Sequence, residues 1–121
     1  MLQLVNVISD RGSKYAVSGG AVADRAGVEA FLKVLKRDRK FARATHHSWA
    51  VWLEDGTPLK GDDGEAGAGQ VILRMLERDG LRGHVIVVTR WYGGTKLGGD
   101  RFRRVQDCVR AYLAAWAAGE A

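Results

Sequence analysis

The stretch from Gly61 to Asp100 reads GDDGEAGAGQVILRMLERDGLRGHVIVVTRWYGGTKLGGD and contains two glycine-rich turns. The first turn carries acidic residues and opens a helix predicted over about residues 67–79. The second, residues 90–100, carries basic residues and follows a β-branched run at 84–92, which predicts a central strand covered on both faces. Because glycine lets another group approach the main chain closely, this pattern predicts a built site or a tightly packed junction.

Outside that stretch, apolar alternation and helical periodicity predict three more strands and two more helices. Asp24 is expected to cap the first helix and Asp100 the last one, and Gly80 is expected to end the helix between them. The pair Gly19-Gly20 indicates a bulge or a bend in the second strand. The predicted elements here are strands at residues 2–9, 14–22 and 45–54 and helices at about 25–38 and 100–117.

The order of the elements is β-β-α-β-α-β-α, and the first two strands are placed to form a hairpin. This order predicts an α/β (α+β) two-layer sandwich, in which three helices pack on a four-stranded sheet. A chain of 121 residues is expected to be one domain with a single core. Cys108 falls within the last helix and is expected to be buried as a small apolar residue, whereas residues 117–121 are expected to fray.

The composition is that of an ordinary globular protein, with 46% hydrophobic and 27% charged residues. No apolar run is long enough to span a membrane, and the first residues do not read as a secretory signal. The single cysteine excludes an internal disulfide. These features predict a cytoplasmic protein without a membrane partner.

The net charge is +5, and many of the basic residues occur in two patches. Such a surface permits contact with RNA, ribosomes or acidic proteins, although solvated helix faces explain it equally well. The first run is Lys33, Lys36, Arg37, Arg39, Lys40 and Arg43, and the second is Arg101, Arg103, Arg104 and Arg110.

The acidic turn has three alternative roles. Asp62, Asp63 and Glu65 could cap the following helix, bind a divalent cation, or pair with the basic residues of the second turn, Arg90 or Lys96. No Gly-Lys-Ser/Thr follows, so the turn is not a phosphate-binding P-loop, and no strand precedes it at the spacing of a dinucleotide fingerprint. Because a second cluster of oxygen ligands is missing from the sequence, we expect neither a metal nor a cofactor.

His46 and His47 are neighbours on a predicted strand and are therefore expected to point to opposite faces. His46 paired with Glu65 could do general acid–base work, although a buried, hydrogen-bonded histidine is the commoner role. The sequence has no Cys/His spacing typical of zinc sites. Cys108 lies in mid-helix, where a nucleophile is not expected, and we assign no catalytic residue.

Arg90, Trp91, Tyr92 and Lys96 combine cations with aromatic rings at the end of a strand. This combination is suited to stacking on bases or binding phosphates. It is also suited to a structural corner in which Arg90 holds the acidic turn in place.

Together these motifs resemble the IMPACT/YigZ family over residues 13–115, nearly the whole chain. Bacterial members tend to read DDGEPSGTAG and RYFGG at these places, so this chain, which lacks Pro-Ser-Gly-Thr after its DDGE, is more similar to the eukaryotic members. The matching motifs are Thr45-His46, Asp62-Asp63-Gly64-Glu65 with the glycines after it, Arg90-Trp91-Tyr92-Gly93-Gly94, Leu97-Gly98 and Asp100-Arg101-Phe102.

The resemblance implies a fold like the second domain of ribosomal protein S5 and a non-enzymatic module in the regulation of translation. Eukaryotic members bind the ribosome-associated co-activator of the amino-acid-starvation kinase, and nucleic-acid or ribosome binding is suspected for bacterial ones. The expected partner is therefore a translation-regulatory protein or the ribosome and its RNA. The binding residues that the resemblance implies are His46, Asp62, Asp63, Glu65, Arg90, Tyr92, Gly93, Gly94, Lys96, Asp100 and Arg101.

The resemblance does not extend to the N-terminal partner-binding domain of eukaryotic members or to the C-terminal ferredoxin-like domain of YigZ, so the contacts of those domains are not carried over. Two other functions stay open. A small enzyme or ligand-binding protein would use His46 and the DDGE residues, and it would need these groups to converge in one pocket. A structural subunit of a larger assembly would expose an apolar patch that includes Trp52 or Trp116.

Overall fold

Residues 1–119, the part of the chain that the computed structural model describes, form one five-stranded antiparallel sheet and four helices. The fraying predicted for the C-terminal end falls partly on Glu120 and Ala121, which lie outside the described residues. In chain order the elements are β1 (Leu2–Asp10), β2 (Ser13–Ala21), α1 (Arg25–Leu35), α2 (Arg39–Ala42), β3 (His46–Trp52), β4 (Pro58–Gly61), α3 (Ala68–Asp79), β5 (His84–Trp91) and α4 (Asp100–Ala117).

Helices cover both faces of the sheet, whose strand order is β1-β2-β5-β3-β4. Alternate residues of the central strand β5 enter two separate cores because successive side chains of a strand point to opposite faces. Ile86 and Val88 pack with α3 and α4, whereas Val85 and Val87 pack with α1 and α2. The prediction of a two-layer sandwich is therefore wrong, and the prediction of a doubly covered central strand is confirmed.

The predicted helix at 25–38 is in fact two helices. Asp24 caps α1 as expected, because its Oδ1 accepts a hydrogen bond of 2.8 Å from the Gly27 amide. The helix nevertheless ends at Leu35, since Asp38 begins a new helix by accepting hydrogen bonds from the amides at the start of α2. At the other predicted stop, Gly80 takes the left-handed conformation with φ of 76° and ends α3.

The sheet has one strand more than predicted because β4 pairs with the edge of β3. This strand has only four residues and begins with Pro58, which gave no strand signal in the sequence. A proline lacks the amide hydrogen that a strand ladder needs, so it fits the first residue of an edge strand.

The predicted bulge at Gly19-Gly20 is absent, since the pairing of β2 with β5 runs without interruption from Lys14 to Ala21. Gly19 instead leaves room for the Tyr112 side chain, which a β-carbon at this position would overlap. The predicted hairpin of β1 and β2 is confirmed, and its irregularity lies in β1, between Leu4 and Ile8.

Cys108 is fully buried, as predicted, and burial raises the pKa of its thiol to about 12. A buried thiol with this pKa is a packing group and not a nucleophile at neutral pH. None of the helices in the described part of the chain combines the length and the apolar character needed to cross a membrane.

Candidate functional site

An open groove of about 450 Å³ lies at one end of the sheet, where β3 begins and β5 ends. The connection between β5 and α4, residues 92–99, forms one wall and is called the glycine-rich loop below. The connection between β4 and α3, residues 62–67, is called the acidic loop and lies next to β3. The residues that line the groove are Thr45, His46, Arg90, Tyr92, Lys96, Leu97, Gly98 and Arg101.

Arg90 joins three parts of the chain beneath this groove. Its Nη1 donates a hydrogen bond of 2.7 Å to Glu65 Oε1 in the acidic loop. Its Nε and Nη2 donate to Ser13 Oγ, at the start of β2, at 3.4 and 3.3 Å. Arg90 and Glu65 are only 5% and 4% exposed, so the predicted tie between the basic strand end and the acidic turn is a buried ion pair.

The other two acidic side chains also have structural partners. Asp62 accepts hydrogen bonds from the amides of Gly67 and Gly69 at 3.1 and 2.8 Å, and thereby caps α3. The Gly67 amide is the main reason why the pKa of Asp62 is lowered. Asp63 Oδ2 accepts a hydrogen bond of 2.7 Å from the His47 amide and fixes the start of β3.

Helix capping and pairing with Arg90, two of the three roles considered for the acidic turn, are therefore observed. A divalent cation would have to displace the hydrogen bonds that Asp62, Asp63 and Glu65 already accept. Within residues 1–119, no group of three or more His, Cys, Asp and Glu side chains is arranged to hold a metal ion.

The two adjacent histidines point to opposite faces, as predicted. His47 is buried, and its ring contacts Thr89 Oγ1 at 2.9 Å and the Phe41 carbonyl at 2.8 Å. Burial lowers the pKa of His47, which therefore stays neutral at pH 7. His46 lies in the groove wall, where its Nδ1 donates a hydrogen bond of 2.8 Å to the Asp63 carbonyl and leaves Nε2 for a ligand.

The predicted acid–base pair of His46 and Glu65 is not formed. Glu65 gives its Oε1 to Arg90, and His46 uses Nδ1 on a backbone carbonyl of the acidic loop. The convergence that the enzyme alternative requires is thus missing from the described residues.

The glycine-rich loop is held at its base and open beyond it. The Tyr92 amide donates a hydrogen bond of 2.9 Å to Thr45 Oγ1, and Gly93 packs so closely on Gly12 that a β-carbon would overlap its backbone. The Tyr92 ring is 46% exposed and lies 5.6 Å from the guanidinium carbon of Arg90. Further along, Gly94 has φ of 93° with open space around it, and Lys96 is exposed.

Asp100 does not cap α4, contrary to the prediction. It is the first residue of the helix, and its Oδ2 accepts a hydrogen bond of 2.6 Å from Arg11 in the turn between β1 and β2. The first amides of α4 donate instead to the carbonyls of Leu97, Gly98 and Gly99. Asp100 is therefore a link between α4 and the hairpin, not a groove residue.

Arg101 extends the basic wall of the groove. Its guanidinium carbon lies 4.7 Å from the centre of the Phe102 ring, which holds the side chain against α4. Its Nε is buried and has no hydrogen-bond partner among residues 1–119.

The charges of the groove are unbalanced. All its charged lining residues, Arg90, Lys96 and Arg101, are cations, and the one carboxylate paired with them is Glu65, on Arg90. Lys96 and Arg101 make no ion pair within the described range. The arrangement therefore attracts anions.

Of the eleven predicted binding residues, the structure brings five together in the groove. Gly93 and Gly94 shape the glycine-rich loop, while the three carboxylates of the acidic loop and Asp100 lie behind or beside it. Ser13 was missed because only the pairing of β2 with β5 brings it under Arg90, which is 77 residues away in sequence. The five residues in the groove are His46, Arg90, Tyr92, Lys96 and Arg101.

Comparison with protein families identifies the chain. The family described as the Impact N-terminal domain matches residues 11–113. The chain belongs to this family. The predicted resemblance to the IMPACT/YigZ family is thereby confirmed, over nearly the range that the motifs indicated.

Animal proteins are among the curated relatives of this Impact N-terminal domain. The chain is 37% identical to Protein IMPACT-B of Xenopus tropicalis over 111 residues, which is 88% of this chain and 35% of that protein. It is 35% identical to Protein IMPACT of Homo sapiens with the same coverage. The chain thus spans about a third of the length of the curated relatives it matches.

Two solved structures share the fold. A hypothetical protein aligns with a TM-score of 0.78 at 23% identity, over 93% of this chain and 56% of that one, and this likeness shows the fold alone. The two-domain translational regulator Yih1 aligns with a TM-score of 0.56 at 31% identity, over 88% of this chain and 43% of its own.

Proposed function

We propose that this Impact N-terminal domain is a binding module in the regulation of translation, and that it contacts RNA, on the ribosome or free, through the groove. The similarity to Yih1, described as a translational regulator, supports the first part. The chemistry of the groove supports the second. Such a role places the protein in the cytoplasm.

The observation that carries the proposal concerns the charged groups at one end of the sheet. The carboxylates there accept hydrogen bonds from the fold, whereas two cations of the groove make no ion pair within residues 1–119. Arg90 is neutralised by Glu65, but Lys96 and Arg101 make no ion pair within the described residues. His46 Nε2 adds a third group that can donate to an anion when protonated, or accept a hydrogen bond when neutral. These groups surround a groove large enough for a nucleotide-sized ligand.

An exposed aromatic ring favours RNA over an acidic protein segment as the ligand. Tyr92 stands at the groove with nearly half its surface exposed, and the Arg90 guanidinium beneath it restricts its position. A fixed ring beside free cations is the combination on which single-stranded nucleic acids stack, at about 1–3 kcal/mol per base. A carboxylate-rich peptide would use the cations and leave the ring without a role.

The two other functions receive less support. The enzyme alternative needs the carboxylates of the acidic loop, which are engaged in the fold. The structural-subunit alternative needs an exposed apolar patch, but Trp52 is partly buried and donates a hydrogen bond of 2.8 Å to the Leu73 carbonyl. Trp116 is 38% exposed, and its ring packs against that of His84 with the ring centres 4.4 Å apart and the planes tilted by 51°.

Co-sedimentation with ribosomes across a KCl series tests the proposal. The test variant is Lys96→Gln/Arg101→Gln, and the control is Arg74→Gln/Arg78→Gln, which removes the same charge from the exposed side of α3. Arg90 is left unchanged because its loss would leave Glu65 buried without a partner. We expect binding that weakens steeply with salt, is retained in the control and falls at least tenfold in the test variant, with RNA oligonucleotides as competitors.

Two results would count against the proposal. An equal loss of ribosome binding in the test variant and in the control would show that net charge, not the groove, governs binding. Ribosome binding that depends on the groove but is not competed by RNA would point to a protein partner.

A further inference from the structure

The positive charge of this protein is concentrated in one short segment. Residues 33–43 contain six cations and a single carboxylate, Asp38, and therefore carry a net charge of +5, which equals that of the whole chain. The other residues carry equal numbers of acidic and basic side chains. The six cations, all exposed, are called the basic segment below: Lys33, Lys36, Arg37, Arg39, Lys40 and Arg43.

The fold uses little of this charge within the described residues. None of the six side chains makes an ion pair within residues 1–119. Asp38 is occupied as the cap of α2, where its Oδ1 accepts hydrogen bonds from the amides of Lys40 and Phe41. Lys40 Nζ lies 5.4 Å from the centre of the Trp91 ring, which is a weak contact at an exposed site. Most of the charge of the segment is therefore left without a partner in the described structure.

The basic segment ends beside the groove. The Trp91 ring nitrogen, one residue past Arg90, donates a hydrogen bond of 2.9 Å to the Lys40 carbonyl and holds α2 against the end of β5. Two residues beyond Arg43, Thr45 lines the groove, and its amide donates to the Arg90 carbonyl at 2.8 Å. The groove and the basic segment therefore flank the last two residues of the same strand.

The two surfaces lie on opposite faces of the sheet. Arg90 follows Ile86 and Val88, which pack under α3 and α4, whereas Trp91 follows Val85 and Val87, which pack under α1 and α2. A ligand that touches both surfaces must bend around the end of β5 within a few residues. A double helix such as DNA, stiff over about 150 base pairs, does not follow such a path, but a single strand does.

We infer that the basic segment is a second contact surface for the same RNA: a single strand whose base stacks on Tyr92 in the groove continues past Thr45, and its backbone phosphates lie on α2 and the end of α1. This inference rests on the proposed RNA contact of the groove and extends it to a ligand several nucleotides long. It assigns a role to the charge that the fold leaves unpaired.

The salt dependence of binding distinguishes the two surfaces. The variant Lys36→Gln/Arg37→Gln/Arg39→Gln removes three cations of the basic segment without touching the groove. The control Arg74→Gln/Arg78→Gln/Arg82→Gln removes the same charge from exposed residues on α3 and the loop after it. Fluorescence anisotropy with labelled single-stranded oligouridine of about 12 and of about 3 nucleotides, across a KCl series, gives the slope of log K against log[salt].

We expect the slope for the long RNA to be less steep by about 2 in the basic-segment variant. Each phosphate contact to a single strand contributes about 0.7 to the slope, and the variant removes three cations. The control keeps the wild-type slope, and the short RNA binds the basic-segment variant as it binds wild type. Thermal unfolding of the variant should occur close to the wild-type temperature, since the three side chains are exposed and make no ion pair within the described residues.

An unchanged slope in the basic-segment variant, together with lost binding in Lys96→Gln/Arg101→Gln, would overturn the inference and leave the proposed function standing. An equal fall in slope in the control would also overturn it, since net charge would then be the cause. If wild type binds neither RNA at low salt, the inference and the proposed RNA contact fail together.

Discussion

The acidic loop and the glycine-rich loop look alike in sequence, and the structure uses them differently. Both are glycine-rich and charged, and both lead into a helix. In the acidic loop every carboxylate accepts a hydrogen bond from the fold. In the glycine-rich loop Lys96 is exposed and forms neither a hydrogen bond nor an ion pair with the described residues. Glycine and charge together mark where the chain is closely folded, but only the partners of the charges show where a ligand can bind.

The helices behind the two loops show the same contrast. The N-cap residue of each helix is a glycine, Gly67 for α3 and Gly99 for α4, which has no side chain of its own to cap the helix. The amides of Gly67 and Gly69 at the start of α3 donate hydrogen bonds to the Asp62 side chain. The acidic loop thus supplies the negative charge that stabilises the N-terminus of its own helix. The first amides of α4 bind carbonyls of the preceding residues, and the site there is built from side chains instead.

The largest effect should come from breaking the buried ion pair of the acidic loop. Glu65→Ala leaves the Arg90 charge buried without its partner, and we expect the free energy of unfolding to fall by about 3–5 kcal/mol. Urea unfolding measures this loss. In the double variant Glu65→Leu/Arg90→Met, which removes both charges, much of the loss should be recovered. If Glu65→Ala lowers the free energy of unfolding by less than about 1 kcal/mol, the acidic loop does not have the stabilising role assigned to it.

A smaller loss of about 1–2 kcal/mol in the free energy of unfolding should follow Asp62→Ala, which removes the acceptor of the Gly67 and Gly69 amides at the start of α3. Because the pKa of Asp62 is lowered in the folded state, its contribution is present above its ordinary value of 3.8 and is lost as the pH falls through the folded-state pKa. Asp79→Ala, at the exposed end of the same helix, is the matched control and should have little effect. Equal losses in the two variants would contradict a capping role.

A buried histidine extends the comparison to pH. His47 belongs to the structural side, and burial lowers its pKa from 6.5. Below pH 6.5 the unfolded chain binds a proton that folded His47 resists. The contribution of His47 to the free energy of unfolding is therefore fully present above pH 6.5, and it is lost as the pH falls through the folded-state pKa. Urea unfolding at several pH values should show this decrease. His47→Gln should reduce the dependence of the free energy of unfolding on pH, because it removes the buried group that resists the proton.

The smallest effect on stability should come from the glycine-rich loop. Lys96→Gln changes an exposed side chain without a partner in the described structure. The free energy of unfolding should therefore stay within about 0.5 kcal/mol of the wild-type value. Binding of single-stranded RNA should nevertheless weaken severalfold. A variant that unfolds more easily and binds RNA unchanged would reverse the roles assigned to the two loops.

Much of the fold follows from the sequence because long periodic segments dominate it. The strands and helices with clear apolar patterns were predicted close to their observed bounds, including the central strand β5. Strand β4 was missed because a four-residue strand that starts with Pro58 exists only through its pairing with β3. Helix α2 was missed because Asp38 lies in what reads as the tail of one longer helix. The likeness to the second domain of ribosomal protein S5 stays a prediction.

The site was predictable where it rests on opposite charges and less so where it rests on distant contacts. The tie between Arg90 and the acidic turn followed from the signs of the charges. Ser13 beneath Arg90 and Arg11 beside Asp100 come from the first hairpin, and no local pattern marks either of them. Asp100 was misassigned as a cap for the same reason, since its partner lies 89 residues away.

The most direct test of the different uses of the two loops is a two-dimensional ¹H–¹⁵N NMR titration of the wild-type domain with single-stranded RNA. We expect the amide signals of residues 93–99 and of Arg101 to shift most, and those of the acidic loop, residues 62–67, to stay near their free positions. Shifts concentrated in the acidic loop, or no shifts at low salt, would contradict the account.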